Sequence, residues 1–186
     1  MNTIKPTLTL FVIALVTAVL VSIVYEFTLE PIEQIRMQRE RDTVAAMLPG
    51  TVDTSYTEVE GLPSLTRLIT GYNEQGERIG YVVSAFGPGY AGPVSIMVSF
   101  DLEGSLTGVQ VVRQSETPGL GTAILEPEFL GQFVGREGPL RVTRVYSGGA
   151  DEIAALASAT ISTEAVVRGV NAALEFIENI MGEVTQ

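Results

Sequence analysis

The chain has 186 residues, 11 basic against 22 acidic, a net charge of −11, and neither Cys nor His. The missing thiols and imidazoles exclude disulfides, iron–sulfur clusters, the common haem and zinc sites and any nucleophilic site built on His. Redox chemistry here requires an organic cofactor, and the acidic balance argues against a nucleic-acid partner, which needs a basic face.

The first element is "PTLTLFVIALVTAVLVSIVY", Pro6 to Tyr25, which contains no charge. A helix of about 20 apolar residues spans about 30 Å, the thickness of a bilayer core. No small-residue cleavage site follows, so the segment reads as one uncleaved membrane span rather than a signal peptide. Lys5 precedes it and Arg36, Arg39 and Arg41 follow it; counting basic residues gives a weak vote for a cytoplasmic domain. Residues 28–48 predict a second helix, with Thr28 as its cap, Pro31 in its first turn and Pro49-Gly50 at its end. Ile32, Ile35, Val44, Met47 and Leu48 would line one side of it.

Strands are predicted over 66–72 and 78–86, joined by "NEQGE", and over 94–101 and 105–114, joined by "DLEGS". Asn or Asp first and Gly fourth is the chemistry of a type I turn closed by a left-handed Gly. Val94, Ile96, Val98 and Phe100 alternate with Ser95, Met97 and Ser99, as in a half-buried antiparallel strand. Residues 126–133 predict a short helix and 140–146 a further strand. Val166, Val170, Leu174, Ile177 and Met181 recur at helical spacing over 163–181. The fold class is α+β: an N-terminal transmembrane helix, then an antiparallel sheet with helices packed on it. Three parts follow: an anchor over 1–27, a stalk helix over 28–50 and a domain over 51–186.

Three loops carry the candidate chemistry. "GPGYAGP" (87–93) opens the backbone between two strands and offers Tyr90, either as a wide structural connection or as a surface against a ligand. "ETPGLG" (116–121) predicts a turn of type II character at Pro118-Gly119 that raises Leu120 on a rigid knuckle. "LASATISTEA" (156–165) gathers Ser158, Thr160, Ser162 and Thr163 before the last helix. Ser162 or Thr163 suits an N-cap and Glu164 suits the helix dipole. A helix N-terminus also binds phosphate, and a hydroxyl beside Ala157 and Ala159 has room for a bulky covalent adduct.

The span followed by "TLEPI", the hairpin "GYAGPVSIMVSFDLEGSLTGVQVV", then "ETPGLG" and "SATISTEAV" stand in the order of one family. Over nearly its whole length the chain resembles the G subunit of the Rnf electron-transport complex. More distantly it is similar to the C subunit of the sodium-pumping NADH:quinone reductase. The resemblance implies an FMN-binding domain, with FMN held as a phosphoester on a Thr in the motif S/T-G-A-T by a separate flavin transferase. On this chain that residue is Thr160, flanked by Ser158, Ala159, Ile161 and Ser162. Thr117 and Leu120 would lie beside the ring, in a turn with Glu116, Gly119 and Gly121, and Tyr90 would face it from the first loop. The chain departs from the motif at Ala157 and Ser158, which stand for Ser or Thr and Gly. Ala154 stands six residues before Thr160 where Asp is usual; the nearest upstream Asp is Asp151.

The implied function is a membrane-anchored electron relay in an ion-translocating ferredoxin:NAD oxidoreductase, not a stand-alone enzyme. Its partners would be the other membrane and redox subunits and the flavin transferase. The resemblance puts the domain on the extracytoplasmic side of the cell membrane, opposite to the charge count. The altered residues motivate an alternative, a tethered interaction domain without flavin. A solo FMN-binding domain serving another reductase is the third reading.

Overall fold

The computed structural model describes residues 4–59 and 61–184, without the side chains of 29–34, 36, 183 and 184. It divides into two units, Met1–Asp42 and Thr43–Gln186. In the first, Ile4–Thr28 is long and apolar enough to cross a membrane, and none of its apolar stretch is buried. The two helices read from the sequence are one, α1 (Ile4–Met47). Thr28 is therefore no cap: its hydroxyl donates to the Val24 carbonyl at 2.6 Å, a bond inside a helix. Pro31 removes one amide donor, and the helical backbone runs through it. Ile32 lies outside the described side chains, and Ile35 is exposed.

The second unit is built on a five-stranded antiparallel meander in the order β1 (Asp53–Glu58), β2 (Leu65–Tyr72), β3 (Arg78–Pro88), β4 (Pro93–Phe100), β5 (Leu106–Arg113). The two predicted tight loops form as expected. Asn73 Oδ1 accepts the amides of Gln75 and Glu77, and Gly76 takes φ +77°. Asp101 Oδ1 accepts the amides of Glu103 and Ser105, and Gly104 takes φ +86°. After β5 come a 3₁₀ turn (Gly121–Leu125), the four-residue α2 (Pro127–Leu130), a parallel pair of short strands, β6 (Arg141–Thr143) and β7 (Glu152–Ala154), and α3 (Thr160–Val184). The strand predicted over 140–146 is thus only three residues long.

Helix α3 lays Val166, Val170, Ala173, Leu174 and Ile177 on one sheet face, against Val83, Val94, Ile96, Val98 and Phe100. Phe129 and Phe133 meet edge to face at 5.5 Å and close that core. The opposite face is also covered: Val44 and Leu48, at the end of α1 and just past it, pack with Ile69, Val82 and Met97. This corrects the half-buried reading of β4. Met97 and Ser99, expected toward solvent, are buried, because a second layer of the same chain sits on them.

Candidate functional site

At one end of the sheet β3 and β4 run past their neighbours. The β2 ladder stops at Leu65↔Ala85 and the β5 ladder at Ser95↔Arg113, whereas β3 and β4 stay paired through Gly87↔Val94 and Pro88↔Pro93. The expected open loop is therefore a tight hairpin tip, closed by the Gly89 amide donating to the Gly92 carbonyl at 3.0 Å. Proline is tolerated because no third strand needs its missing donor. Tyr90, at the tip, is 72% exposed.

The second loop matches its expected form. The Leu120 amide donates to the Thr117 carbonyl at 3.2 Å and Gly119 takes φ +75°, as residue i+2 of a type II turn requires. The Gly119 amide also donates to Thr122 Oγ1 at 2.9 Å. Thr117 and Leu120 are exposed on this knuckle.

The third loop differs from its expected form. Helix α3 starts at Thr160, three residues earlier than predicted, so neither Ser162 nor Thr163 is the N-cap. Ala159 stands there instead, its carbonyl accepting both the amide of Thr163 at 2.9 Å and its hydroxyl at 3.0 Å. Thr163 Oγ1 in turn accepts the Leu156 amide at 3.2 Å. The hydroxyls now separate by role. Ser162 is 2% and Thr163 0% exposed, both committed to internal bonds, while Ser158 is exposed and Thr160 half-buried at the first helical position. The amides of Thr160, Ile161 and Ser162 have no carbonyl four residues back within the helix, so this end is suited to an anion. Ala159 is buried and Ile161 exposed.

One residue joins the three loops. Glu116 is 4% exposed. Its Oε1 accepts the Ala91 amide at 3.0 Å and its Oε2 accepts the Ser162 hydroxyl. Its own amide donates to Gln114 Oε1 at 2.5 Å. Two glycines make room for it: a Cβ on Gly121 would meet Glu116 Cβ at 2.7 Å, and one on Gly89 would meet Oε1 at 2.5 Å. The sequence marked Glu116 as part of a ligand loop, but its role as a link within the protein was not legible there.

A second buried carboxylate holds the segment leading to Thr160. Glu152, 3% exposed, accepts the amide and hydroxyl of Ser147, the Gly149 amide and Arg141 Nη2. The Ser147 bonds, chiefly from its amide, hold its carboxyl below the usual range despite burial. Asp151 bonds Arg141 Nε at 2.6 Å and, with Glu152, raises the guanidinium further. Gln132 Oε1 accepts the Ala154 amide at 2.8 Å. This network was missed in the sequence; its one signal was an acidic pair, Asp151-Glu152, in a Gly-rich stretch with Arg141 nearby.

A helix long and apolar enough to cross a membrane precedes an α+β domain in which a turn and a helix N-terminus are joined at one sheet end, and the class of this domain is the FMN-binding domain. The family model described as FMN-binding domain matches residues 89–175, and that described as RnfG N-terminal region matches residues 1–46. The chain is 31% identical to the G subunit of the ion-translocating oxidoreductase complex of Methanosarcina acetivorans, over 93% of each chain. It is 30% identical to the G subunit of the Na(+)-translocating ferredoxin:NAD(+) oxidoreductase complex of Acetobacterium woodii, over 93% of this chain and 90% of that one. The chain belongs to the RnfG family, the G subunits of ion-translocating Rnf oxidoreductase complexes. Among solved structures, the C subunit of the Na(+)-translocating NADH-quinone reductase of Parabacteroides distasonis shares the fold, at TM-score 0.51 and 20% identity, over 68% of this chain and 78% of that one.

Proposed function

We propose that this chain is the flavin-carrying subunit of a membrane oxidoreductase complex and that FMN is joined through its phosphate to Thr160 Oγ1. The observation that carries the reading is the sorting of hydroxyls at the start of α3. Ser162 and Thr163 are spent inside the protein, which leaves Ser158 and Thr160; of these, Thr160 stands on the helix itself, half-open at the first position, with the free amides of the first turn and beside small residues. A phosphoester needs only a hydroxyl, consistent with a chain that lacks Cys and His. Bound there, FMN would supply electron transfer between neighbouring redox centres. The chain's own residues hold and orient it. The amides of Thr160, Ile161 and Ser162 would hold the phosphate, and exposed Tyr90, Thr117 and Leu120 would offer surface to the ring. The apolar helix keeps the site near its partner subunits, raising its effective concentration there. The domain lies on the extracytoplasmic side in this reading.

Mass spectrometry tests the attachment. Full-length protein produced with a flavin transferase carries an FMN-sized mass increment on the Thr160 peptide, and Thr160→Ala abolishes it. An unmodified Thr160 peptide from the native host refutes the reading and favours a tethered interaction domain without flavin. A reporter fused after Gln186 tests the side of the membrane; cytoplasmic reporter activity refutes the extracytoplasmic placement.

A further inference from the structure

We infer that Glu116 is the positioning residue of the flavin site, a buried clamp that fixes the hairpin tip and the start of α3 against the Pro118-Gly119 turn. The inference rests on the flavin reading above. Its basis is local. Glu116 lies just ahead of the turn that carries Thr117 and Leu120. One carboxylate oxygen holds Ala91, next to Tyr90; the other holds Ser162, two residues after Thr160. The residues expected to touch the ring and the residue expected to carry the phosphate are thus referenced to one side chain.

The surroundings are shaped for a carboxylate rather than for generic packing. Gly89 and Gly121 each leave the volume that Glu116 occupies. A buried carboxylate needs hydrogen-bond donors, and here an amide serves one oxygen and a hydroxyl the other. Without the carboxylate, the Ala91 amide and the Ser162 hydroxyl lose a common acceptor, and the tip is left with the Gly89–Gly92 closure. Tyr90 and Leu120 then no longer stand at a set distance from Thr160, while the Thr160 hydroxyl itself is untouched. Glutamine preserves the link: its carbonyl accepts from Ala91 and its amide donates to Ser162 Oγ.

The test uses the full-length chain and the variants Glu116→Ala, Glu116→Gln and Ser162→Ala, each made with and without a flavin transferase. In protein without flavin, amide exchange at residues 89–92 is expected to rise about tenfold in Glu116→Ala and to stay near wild type in Glu116→Gln. Ser162→Ala keeps the Ala91 bond, so exchange rises at 163–166, the first bonded amides of α3, and little at the tip. With the transferase, all three variants keep the mass increment on Thr160. The visible circular dichroism of the bound flavin, which reports a ring held in one asymmetric setting, falls at least about twofold in Glu116→Ala and is retained in Glu116→Gln. Wild-type exchange and dichroism in a folded Glu116→Ala overturn the clamp. So does a Glu116→Gln variant that behaves as Glu116→Ala, because charge and not geometry would then be at work. If Glu116→Ala does not fold, Ser162→Ala decides alone: unchanged exchange at 163–166 overturns the clamp, and faster exchange there supports it. Absence of flavin from the wild-type chain refutes the attachment but leaves the exchange comparison intact, so the two ideas fail separately.

Discussion

Ser158 is the one described non-glycine residue with positive φ, at +74°. The side chain is exposed, so replacing it removes little packing. A left-handed backbone costs a residue bearing Cβ about 1–2 kcal/mol, a cost glycine escapes. Glycine gives back about 0.5–1 kcal/mol through its more flexible unfolded chain. Ser158→Gly is therefore expected to stabilise the domain by about 0.5–1 kcal/mol. In a domain of this size that raises the unfolding midpoint by about 1–4 °C. The assay is thermal unfolding of the full-length chain in detergent, followed by near-ultraviolet circular dichroism of its packed tyrosines. Ser158→Ala keeps the Cβ and is expected to gain nothing. A Ser158→Gly midpoint at or below wild type, or an equal gain in Ser158→Ala, refutes the assignment of strain to this backbone.

Gly87→Ala is expected to cost about 1–3 kcal/mol or more, because the new Cβ would sit 2.8 Å from the carbonyl carbon of Ala165, backbone that yields only if α3 moves; chemical denaturation measures it. Leu48→Ala empties the second core under the sheet and is expected to cost about 2–5 kcal/mol in the same assay. Glu152 has a lowered folded value, so its contribution to stability is full above the ordinary glutamate value of 4.5 and is lost as pH falls through the lower one. The stability gap between wild type and Glu152→Gln is therefore constant near neutrality and narrows only below about pH 4.5; a gap that closes at higher pH contradicts the bonding described.

The parts of the fold that follow from short-range chemistry were legible. "NEQGE" and "DLEGS" specify their turns because one Asx side chain and one left-handed Gly define each loop. The apolar stripe of α3 was legible by spacing, though not its first turn. Thr160, Ile161 and Ser162 resemble a capping run, but Ser162 is inside the helix and its hydroxyl donates to Glu116 of another loop instead of capping. Strand β1 escaped notice because its sequence, "DTSYTE", is an exposed edge with no apolar alternation. β7 is three residues, too short to show a pattern, and it pairs with β6 where Arg141 and Glu152 also bond through their side chains. The hairpin tip was misjudged because a Gly and Pro run reads as a broken ladder unless it is known that the neighbouring strands have already ended. At position 158 the chain's serine holds a left-handed backbone that glycine adopts without strain.

The two buried carboxylates divide the work around Thr160. Glu152 is paired with a guanidinium and with the backbone of its own loop, so it fixes the segment on which the threonine is delivered. Glu116 is satisfied by an amide and a hydroxyl from two other elements, so it fixes distances between segments. A loop tip held only by its own turn opens readily, because few buried contacts oppose it. Ligand-bearing surfaces need rigid support to keep a fixed geometry. Here the exposed residues, Tyr90, Leu120 and Ile161, sit on the outside of a cluster whose inside is Glu116, Gly121, Ser162 and Thr163. The exposed layer is free to meet a large planar group because the buried layer has already satisfied its own hydrogen bonds. Weakening the buried layer should therefore disturb how a flavin is held before it disturbs whether one is attached.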